Sequence, residues 1–489
     1  MRFYDREYEI SILQKNELQS RRSAVFTVLM GRKRVGKTTL MKTALKDCEN
    51  AYLLITNDCE EALCQQFKQT LEEQLGIHVD GAVNQFCDLF EVIMKESLNR
   101  HFTIILDEFQ TLAKVDPTIF RGIKKLWNQY RRNSFLHLIT SCSIQPPTRH
   151  IFEDTNGQFH GRPSTILTLK PFTINVLKHI FHDHYPDYLN EDLLCLFMIT
   201  GGVPKYVELL MDAGCYTKEK MLCFVCTHDS YFLTEGNDIV NQLFGDKSVA
   251  YFSVLQLVAS SLDTFHNNGT MMQRKLIVYL EDLENNYQLV SCLKPLFSKA
   301  KNPVTAYEIS DQFLRFWFKF IGPYQSYVEQ GQLSLIREKI EEYYNSFTGR
   351  TLEQYFRALA MESGRYTQVG CWWSSKGKYE IDMIALNEMN HTGLVAEIKR
   401  TRQNISLTKL KEKANALPPN SFGEYRLSLR ALSINDMDGL YYGIWNRLFD
   451  SVIRFLHRLF CHLVRMKGLL SVIFAPRLLR QDDMPKHEL

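Results

Sequence analysis

The chain lacks the marks of export, of membrane insertion and of a structural metal. Met1-Arg2-Phe3-Tyr4-Asp5-Arg6 runs straight into charged, helix-like sequence with no secretory signal. Twelve cysteines are scattered, mostly in apolar runs. With no export signal they are expected to be reduced thiols in a cytoplasm. One Cys-x-x-Cys is present, Cys223 and Cys226 with His228 nearby. A zinc site needs a second ligand pair, and none has suitable spacing, so a buried helix face is expected there. The closing Lys-His-Glu-Leu has the form of a retention tag but is unreadable without a signal peptide. A large charge of one sign is also missing. The balance is 58 Lys+Arg against 55 Asp+Glu, a net +3, which excludes a basic coat for nucleic acid. The excess is local, with seven Lys+Arg against three Asp+Glu between Ser451 and Leu489.

What is present is a soluble-type composition, 45% hydrophobic and 23% charged, over 489 residues, enough for about three domains. One stretch organises it. The apolar run Val25-Phe26-Thr27-Val28-Leu29-Met30 leads into Gly31-Arg32-Lys33-Arg34-Val35-Gly36-Lys37-Thr38-Thr39. This is the strand, loop and first helical turn of a P-loop. Gly31 and Gly36 let the backbone turn its N–H groups around a phosphate chain, and the helix that follows aims its positive end at the same anion. Lys37 is placed to reach the β- and γ-phosphates, and the Thr38 hydroxyl to take one Mg²⁺ position.

Further along, Phe102-Thr103-Ile104-Ile105-Leu106 ends in Asp107-Glu108. A wholly apolar run suits a strand buried on both faces of a parallel sheet, and ligands gather at the strand ends of such sheets. Asp107 suits a Mg²⁺ contact and Glu108 a base that polarises water. A third buried strand, Phe135 to Thr140, ends at Ser141-Cys142-Ser143, where Ser143 is placed to sense the γ-phosphate or the water. Arg162 follows and suits a phosphate of its own or a neighbouring subunit, or a structural ion pair. Residues 1–22 read as a leading helix. Helices are also expected over 60–75, 83–99 and 175–240, the last group forming a lid. Residues 248–312 alternate helices and short strands in winged-helix order, as a DNA-binding or a packing module. Phe313, Phe316, Trp317 and Phe320 make a helical stripe expected in the core.

These features together resemble the prokaryotic ATPase family found mainly in archaea and Bacteroides-type bacteria, on the AAA+/STAND side of P-loop NTPases. The resemblance rests on Phe3-Tyr4-Asp5-Arg6-Glu7, Gly31 to Thr39, Asp107-Glu108-Phe109-Gln110, Ser143, Gly161-Arg162 and Thr200-Gly201-Gly202-Val203-Pro204-Lys205-Tyr206. It implies ATP and Mg²⁺ as ligands and ATP hydrolysis as the activity. The family usually has Gly-Ser where this chain has Cys142-Ser143.

A second constellation begins near Ser346. Glu353 lies on an expected helix, Asp382 in Glu380-Ile381-Asp382-Met383-Ile384, and Glu397 and Lys399 in Val395-Ala396-Glu397-Ile398-Lys399. A hairpin would set Asp382 beside Glu397 and Lys399, two carboxylates to hold Mg²⁺ and a lysine to position water. The order resembles the PD-(D/E)xK nuclease superfamily, with Glu353, Asp382, Glu397 and Lys399 as its site. An inert nuclease-like module is the alternative. Residues 451–480 carry Arg454, Arg458, His462 and Arg465 on one helical face. Their charges break the apolar run, which excludes a membrane span and leaves a surface helix for anionic lipid, nucleic acid or its own protein.

The expected fold is α/β: a P-loop ATPase core over 1–172, a helical lid over 173–245, and a winged-helix-like segment over 246–330. A restriction-endonuclease-like α/β domain over 340–437 and a basic amphipathic tail over 438–489 complete it. The expected function is an ATPase coupled to a nuclease-like domain acting on DNA. A switch with an inert nuclease fold and a protein or DNA partner, or a second copy of the chain, is the alternative.

Overall fold

The apolar strands read from the sequence form the centre of the first part of the molecule. The structure, a computed structural model, describes residues 1–143, 148, 151–152, 154–260, 271–297, 306–374 and 378–440. Strands β1 (Val25–Gly31), β2 (Asn50–Leu54), β3 (Phe102–Asp107), β4 (Leu136–Ser143) and β5 (Thr165–Leu169) make one sheet in the order β2-β3-β4-β1-β5. Every neighbouring pair in it is parallel. β1, β3 and β4 are buried at every position, because helices cover both faces of a parallel sheet. On one face Leu29, Ile105 and Ile139 pack with Leu13, Leu40 and Met41. On the other, Phe26, Ile104 and Leu138 pack with the helices Glu60–Leu75, Phe86–Glu96 and Ile119–Tyr130.

The leading helix is shorter than expected. It runs Glu7–Ser20, and Asp5 and Arg6 before it have φ of 59° and 81°. Two successive left-handed residues cannot continue a right-handed helix, so residues 1–6 are a separate segment. Arg6 anchors it by donating to the Lys170 carbonyl at 2.5 Å and stacking over Phe172.

The residues expected to form a lid hold the helices Ile174–His184, Asn190–Thr200, Pro204–Asp212, Lys218–Val225 and Tyr231–Phe244. Gly202 has φ of 76°, and a Cβ there would sit 2.3 Å from the Phe172 carbonyl oxygen, so only glycine fits this turn. Pro204 then starts its helix at the first position. The Lys218–Val225 helix buries Met221, Leu222 and Val225, whereas Cys223 is exposed and Cys226 half-buried. The Cys-x-x-Cys pair is thus not the buried face expected. Among the described residues no group of three metal-ligating side chains exists there or elsewhere.

Next come the helices Ser248–Ser260 and Met271–Asn285 and an antiparallel pair, β6 (Val290–Leu293) with β7 (Ala306–Ile309). The helix Gln312–Phe320 carries the aromatic stripe. Phe313, Phe316, Trp317 and Phe320 are all buried, and the Trp317 Nε1–H donates to the Leu233 carbonyl at 3.2 Å. A 30-residue helix, Leu333–Glu362, leads into β8 (Gln368–Trp373), β9 (Glu380–Asn387) and β10 (Thr392–Ile398). The helix Leu407–Asn415 then crosses to β11 (Arg426–Leu432), giving a sheet in the order β11-β10-β9-β8. β10 and β11 are parallel and the other pairs antiparallel.

Residues Met1–Asn435 pack as one compact unit. Of the second unit, from Asp436, only the first five residues are described, and the basic tail lies from residue 441 outside the described residues. Among the described residues no helix is long and apolar enough to cross a membrane.

Candidate functional site

The parallel sheet ends in a cleft of about 510 Å³. The P-loop residues Lys33 to Thr39 line it, with Asp107 and Glu108 at the end of β3. Gly36 takes φ of 90° and Arg34 φ of 70°, which turns the loop into the helix Lys37–Ala44. Gly31, the last residue of β1, leaves room for Val35, whose Cγ1 lies 2.8 Å from where a Cβ would stand. The Lys37 ammonium is buried and donates to the carbonyls of Gly31 at 2.9 Å and Arg32 at 3.3 Å. Burial pulls its pKa down, and Glu108 and Asp107 pull it back up in part.

Thr38 Oγ1 donates to Asp107 Oδ2 at 3.3 Å. The Tyr52 hydroxyl donates to the same oxygen, and burial and that carboxylate together push the phenol pKa up. Glu108 has φ of 54°. Its carboxylate accepts from Gln110 Nε2 at 2.6 Å and from Ser143 Oγ at 3.3 Å, and its N–H donates to Asp107 Oδ1 at 3.0 Å. A left-handed non-glycine residue at this position turns the Glu108 side chain away from the strand axis and toward β4. The residues fit Mg²⁺, which usually takes one or two carboxylates together with substrate phosphates. Thr38 and Asp107 supply a hydroxyl and a carboxylate that already converge.

Of the residues expected from sequence, Gly36, Lys37, Thr38, Thr39, Asp107 and Glu108 line one cleft, and Ser143 reaches it through Glu108. Arg162 does not line it, although its N–H caps a turn on Phe159. Arg32 points the other way, to Asp311. Sequence reasoning missed Tyr52, which needs the knowledge that β2 neighbours β3. It also gave no role to Pro204, Lys205 and Glu208, which line the cleft from the helix Pro204–Asp212, or to Phe172 beside Tyr4 and Arg6. The spacing signal for Lys205 was the Gly-Gly-Val-Pro turn that starts its helix.

The second constellation assembles on β9, β10 and the long helix. Met383 pairs with Ala396, so the next step of the register sets Asp382 opposite Glu397. Asp382 is buried. Its Oδ2 accepts from the Ile398 N–H at 2.7 Å and from Lys399 Nζ at 3.1 Å. Glu397 is held at 3.7 Å by Lys399 and at 2.5 Å by Lys413 Nζ from the helix Leu407–Asn415. Burial lowers the Lys399 pKa, but Asp382 and Glu397 outweigh it and the net direction is up. Glu353 faces this group from the long helix, 3.9 Å from Arg357, which also donates to the Asp382 carbonyl at 3.1 Å. Burial, then the charge of Asp382, push the Glu353 carboxyl up to about 8. All four expected residues therefore meet. Both strand carboxylates are engaged by lysines, and no trio of metal ligands is formed among the described residues.

The first half of the chain is thus a P-loop ATPase-like domain. Residues 3–210 match a family described as an ATPase domain predominantly from Archaea. Residues 317–414 match a family of archaeal and bacterial proteins of unknown function. An uncharacterized protein of Methanocaldococcus jannaschii is 24% identical over 407 residues, covering 81% of this chain and 87% of that protein. Among solved structures, the Walker-type ATPase of Pyrococcus abyssi is similar at 17% identity, over 65% of this chain and 96% of that chain, with a TM-score of 0.46. A STAND signal-transduction ATPase with a tetratricopeptide repeat sensor, from Pyrococcus horikoshii, is similar at 15% identity. It covers 74% of this chain and 48% of that chain, with a TM-score of 0.32.

Proposed function

We propose that the chain binds ATP with Mg²⁺ and hydrolyses it, and that its C-terminal site is a nuclease acting on DNA under the control of the ATP site. One observation carries the first half: Lys37, Thr38, Asp107 and Glu108 converge on a single cleft at the end of a parallel sheet. Phosphoryl transfer needs positioning and charge neutralisation more than covalent chemistry. Mg²⁺ supplies that neutralisation at the phosphate oxygens when bound, held by Thr38 and Asp107. Lys37 leaves the loop carbonyls for the terminal phosphates. Tyr52 keeps Asp107 oriented. Glu108, held by Gln110 and Ser143, accepts the proton of the attacking water. Lys205, paired with Glu208 at 2.9 Å, adds a cation at the cleft from the helix Pro204–Asp212.

The test is nucleotide turnover by the full chain. Lys37→Ala is expected to abolish binding and turnover. Glu108→Gln is expected to keep ATP binding and lower turnover about 10²- to 10⁴-fold, the usual share of a general base. Unchanged turnover in Lys37→Ala would overturn the reading.

The nuclease half is supported by the helix–strand–strand order that gathers Glu353, Asp382, Glu397 and Lys399. A second reading, an ATP-dependent switch with an inert nuclease fold, is favoured by the occupation of both strand carboxylates by Lys399 and Lys413. Cleavage of DNA with Mg²⁺ or Mn²⁺ that disappears in Lys399→Ala supports the nuclease. Intact ATPase activity with no cleavage under any condition supports the switch.

A further inference from the structure

Three of the four variable positions of the P-loop are basic, and each of these three is tied to a segment far along the chain. Lys33 Nζ donates to Gln242 at 2.7 Å, Arg34 pairs with the buried Glu235 at 3.2 Å, and Arg32 pairs with Asp311. The third tie leads furthest. Asp311 is also the N-cap of the helix Gln312–Phe320, where its Oδ1 accepts from the Leu314 N–H at 3.0 Å. One carboxylate therefore joins a phosphate loop to the start of a buried helix.

That helix reaches the C-terminal site. Gln312 Nε2 donates to Gln354 Oε1 at 2.7 Å, and Arg315 Nη1 donates to the same oxygen at 2.8 Å and to Thr351 Oγ1 at 3.1 Å. Gln354 Nε2 in turn donates to Glu308 at 2.8 Å. Arg315 is buried and its bonded partners are amides, a hydroxyl and a carbonyl. A buried guanidinium without a bonded carboxylate holds its geometry only while each neutral acceptor is in place. Gln354 is the residue after Glu353 and lies one turn before Arg357, the two groups of the long helix that face Asp382.

The other end of the line is sensitive to phosphate. Lys37 Nζ donates to the Arg32 carbonyl. A phosphate oxygen is a charged and stronger acceptor, so a nucleotide in the loop draws this ammonium away. The Arg32 peptide then loses a bond that helps fix it, and with it the direction of the side chain that holds Asp311. A cleft of about 630 Å³ runs beside the line, bordered by Arg32, Asp311, Gln312, Gln354 and Arg357. These groups therefore have room to rearrange, which a close-packed core denies.

We propose that the presence of phosphate in the P-loop is signalled, by rearranged hydrogen bonds and ion pairs, from Lys37 through Arg32 and Asp311 to Gln354, resetting Glu353 and Arg357 at the C-terminal site. Asp311 and Gln354 are the positioning residues of this relay. It deepens the functional reading above and rests on the nucleotide occupying the P-loop.

The test is hydrogen–deuterium exchange of the full chain, with and without ATPγS and Mg²⁺, with nucleotide affinity measured in parallel. In the wild type, nucleotide is expected to change amide exchange across 347–358 as well as in the P-loop, within the range of about 5- to 150-fold spanned by ordinary couplings. Asp311→Asn keeps the helix cap, since Asn caps as well as Asp, and removes the ion pair. It is expected to bind nucleotide yet lose most of the response at 347–358. Gln354→Ala cuts the line at its far end and is expected to do the same while the P-loop response survives. A purely structural role would shift basal exchange and leave the nucleotide-dependent difference intact, which overturns the relay. Wild-type binding with no change at 347–358 overturns the relay alone. No nucleotide binding by the wild type overturns the ATP reading and the relay together.

Discussion

Glu353 is the side chain whose environment departs most usefully from water, and its replacement by glutamine has a calculable effect. Its carboxyl is pushed from an ordinary 4.5 up to about 8, by burial first and the Asp382 charge second. The sign is the reverse of a salt-bridged acid. An acid with a raised folded pKa is neutral in the fold and ionised in the unfolded chain. The stability it contributes is complete below pH 4.5 and is lost as pH rises through 8. At pH 7 the full shift corresponds to about 3 kcal/mol of destabilisation, and above pH 8 the loss levels off near 5 kcal/mol. The side chain keeps 24% of its surface exposed, so water screens part of this, and we expect about 2 kcal/mol at pH 7. Glu353→Gln removes the ionisation with almost no change in shape. The variant should match the wild type at pH 5 to within about 1 kcal/mol and exceed it by about 2 kcal/mol at pH 7 and more at pH 9. Urea denaturation of both proteins at the three pH values, followed by the fluorescence of Trp372 and Trp373, reads the difference. A constant offset across pH, or a variant that is less stable at pH 9, would refute the argument. A stabilised variant also bears on function, because groups held away from their ordinary pKa are characteristic of reactive sites and are maintained against stability.

Other outcomes follow from single contacts. His137 is buried between β strands, its Nε2 bonded to Thr27 Oγ1 at 2.9 Å, and burial drops its pKa to about 3. A base with a lowered folded pKa gives stability that is full above pH 6.5 and lost as pH falls toward 3. His137 alone should take away about 2 kcal/mol between pH 7 and 5, opposite in sign to the Glu353 contribution, so His137→Gln should gain about 2 kcal/mol relative to the wild type over that window in denaturation experiments. Gly236 faces the Trp317 ring, where a Cβ would lie 2.1 Å from Cδ2. Gly236→Ala should therefore destabilise by about 1–3 kcal/mol in a thermal melt through overpacking, despite alanine's better helix propensity. Tyr52→Phe removes a charge-assisted hydrogen bond to Asp107, a class contributing about 1.5–3 kcal/mol, and should lower the melting temperature by a few degrees and ATP turnover about tenfold.

The two sites differed in how they could be read from sequence. The P-loop is contiguous, so Gly31 to Thr39 carry the strand, turn, helix and phosphate chemistry in one stretch. Asp107 and Glu108 were legible because a run buried on both faces can only be a central strand, and its carboxyl end is where ligands sit. The C-terminal hairpin was legible because strand alternation has a period of two, which sets Asp382 against Glu397 once the turn is placed. The failures share one cause, which is tertiary position. Tyr52 touches Asp107 only because β2 lies beside β3. Lys413 reaches Glu397 only because the helix Leu407–Asn415 crosses back over the sheet. The first six residues were read as helix because their charges look helical, and the left-handed backbone at Asp5 and Arg6 has no composition signature. Cys223 is exposed because its helix turns Met221, Leu222 and Val225 inward, a phase that period alone left open.

The basic side chains of the P-loop carry the same lesson into mechanism. Arg32, Lys33 and Arg34 stand within a few residues of Lys37, and on sequence each reads as a phosphate ligand. The structure spends two of them on acids, Arg32 on Asp311 and Arg34 on Glu235, and Lys33 on an amide. Glu235 is almost wholly buried and also accepts from the Tyr206 hydroxyl at 2.8 Å, so removing Arg34 takes the ion-pair partner from a buried carboxylate. Breaking such a pair at one end is far more disruptive than replacing both partners, by roughly 3–5 kcal/mol in buried cases. Arg34 is itself exposed, which lowers the figure here. Arg34→Met should therefore destabilise the lid more than the paired change Arg34→Met with Glu235→Gln, and the double-mutant cycle should return a favourable coupling. If the two single changes simply add, the pair does not hold the loop to the lid. The P-loop arginines would then have to be reassigned to the nucleotide, where a loss of ATP affinity in Arg34→Met without any change in stability would place them.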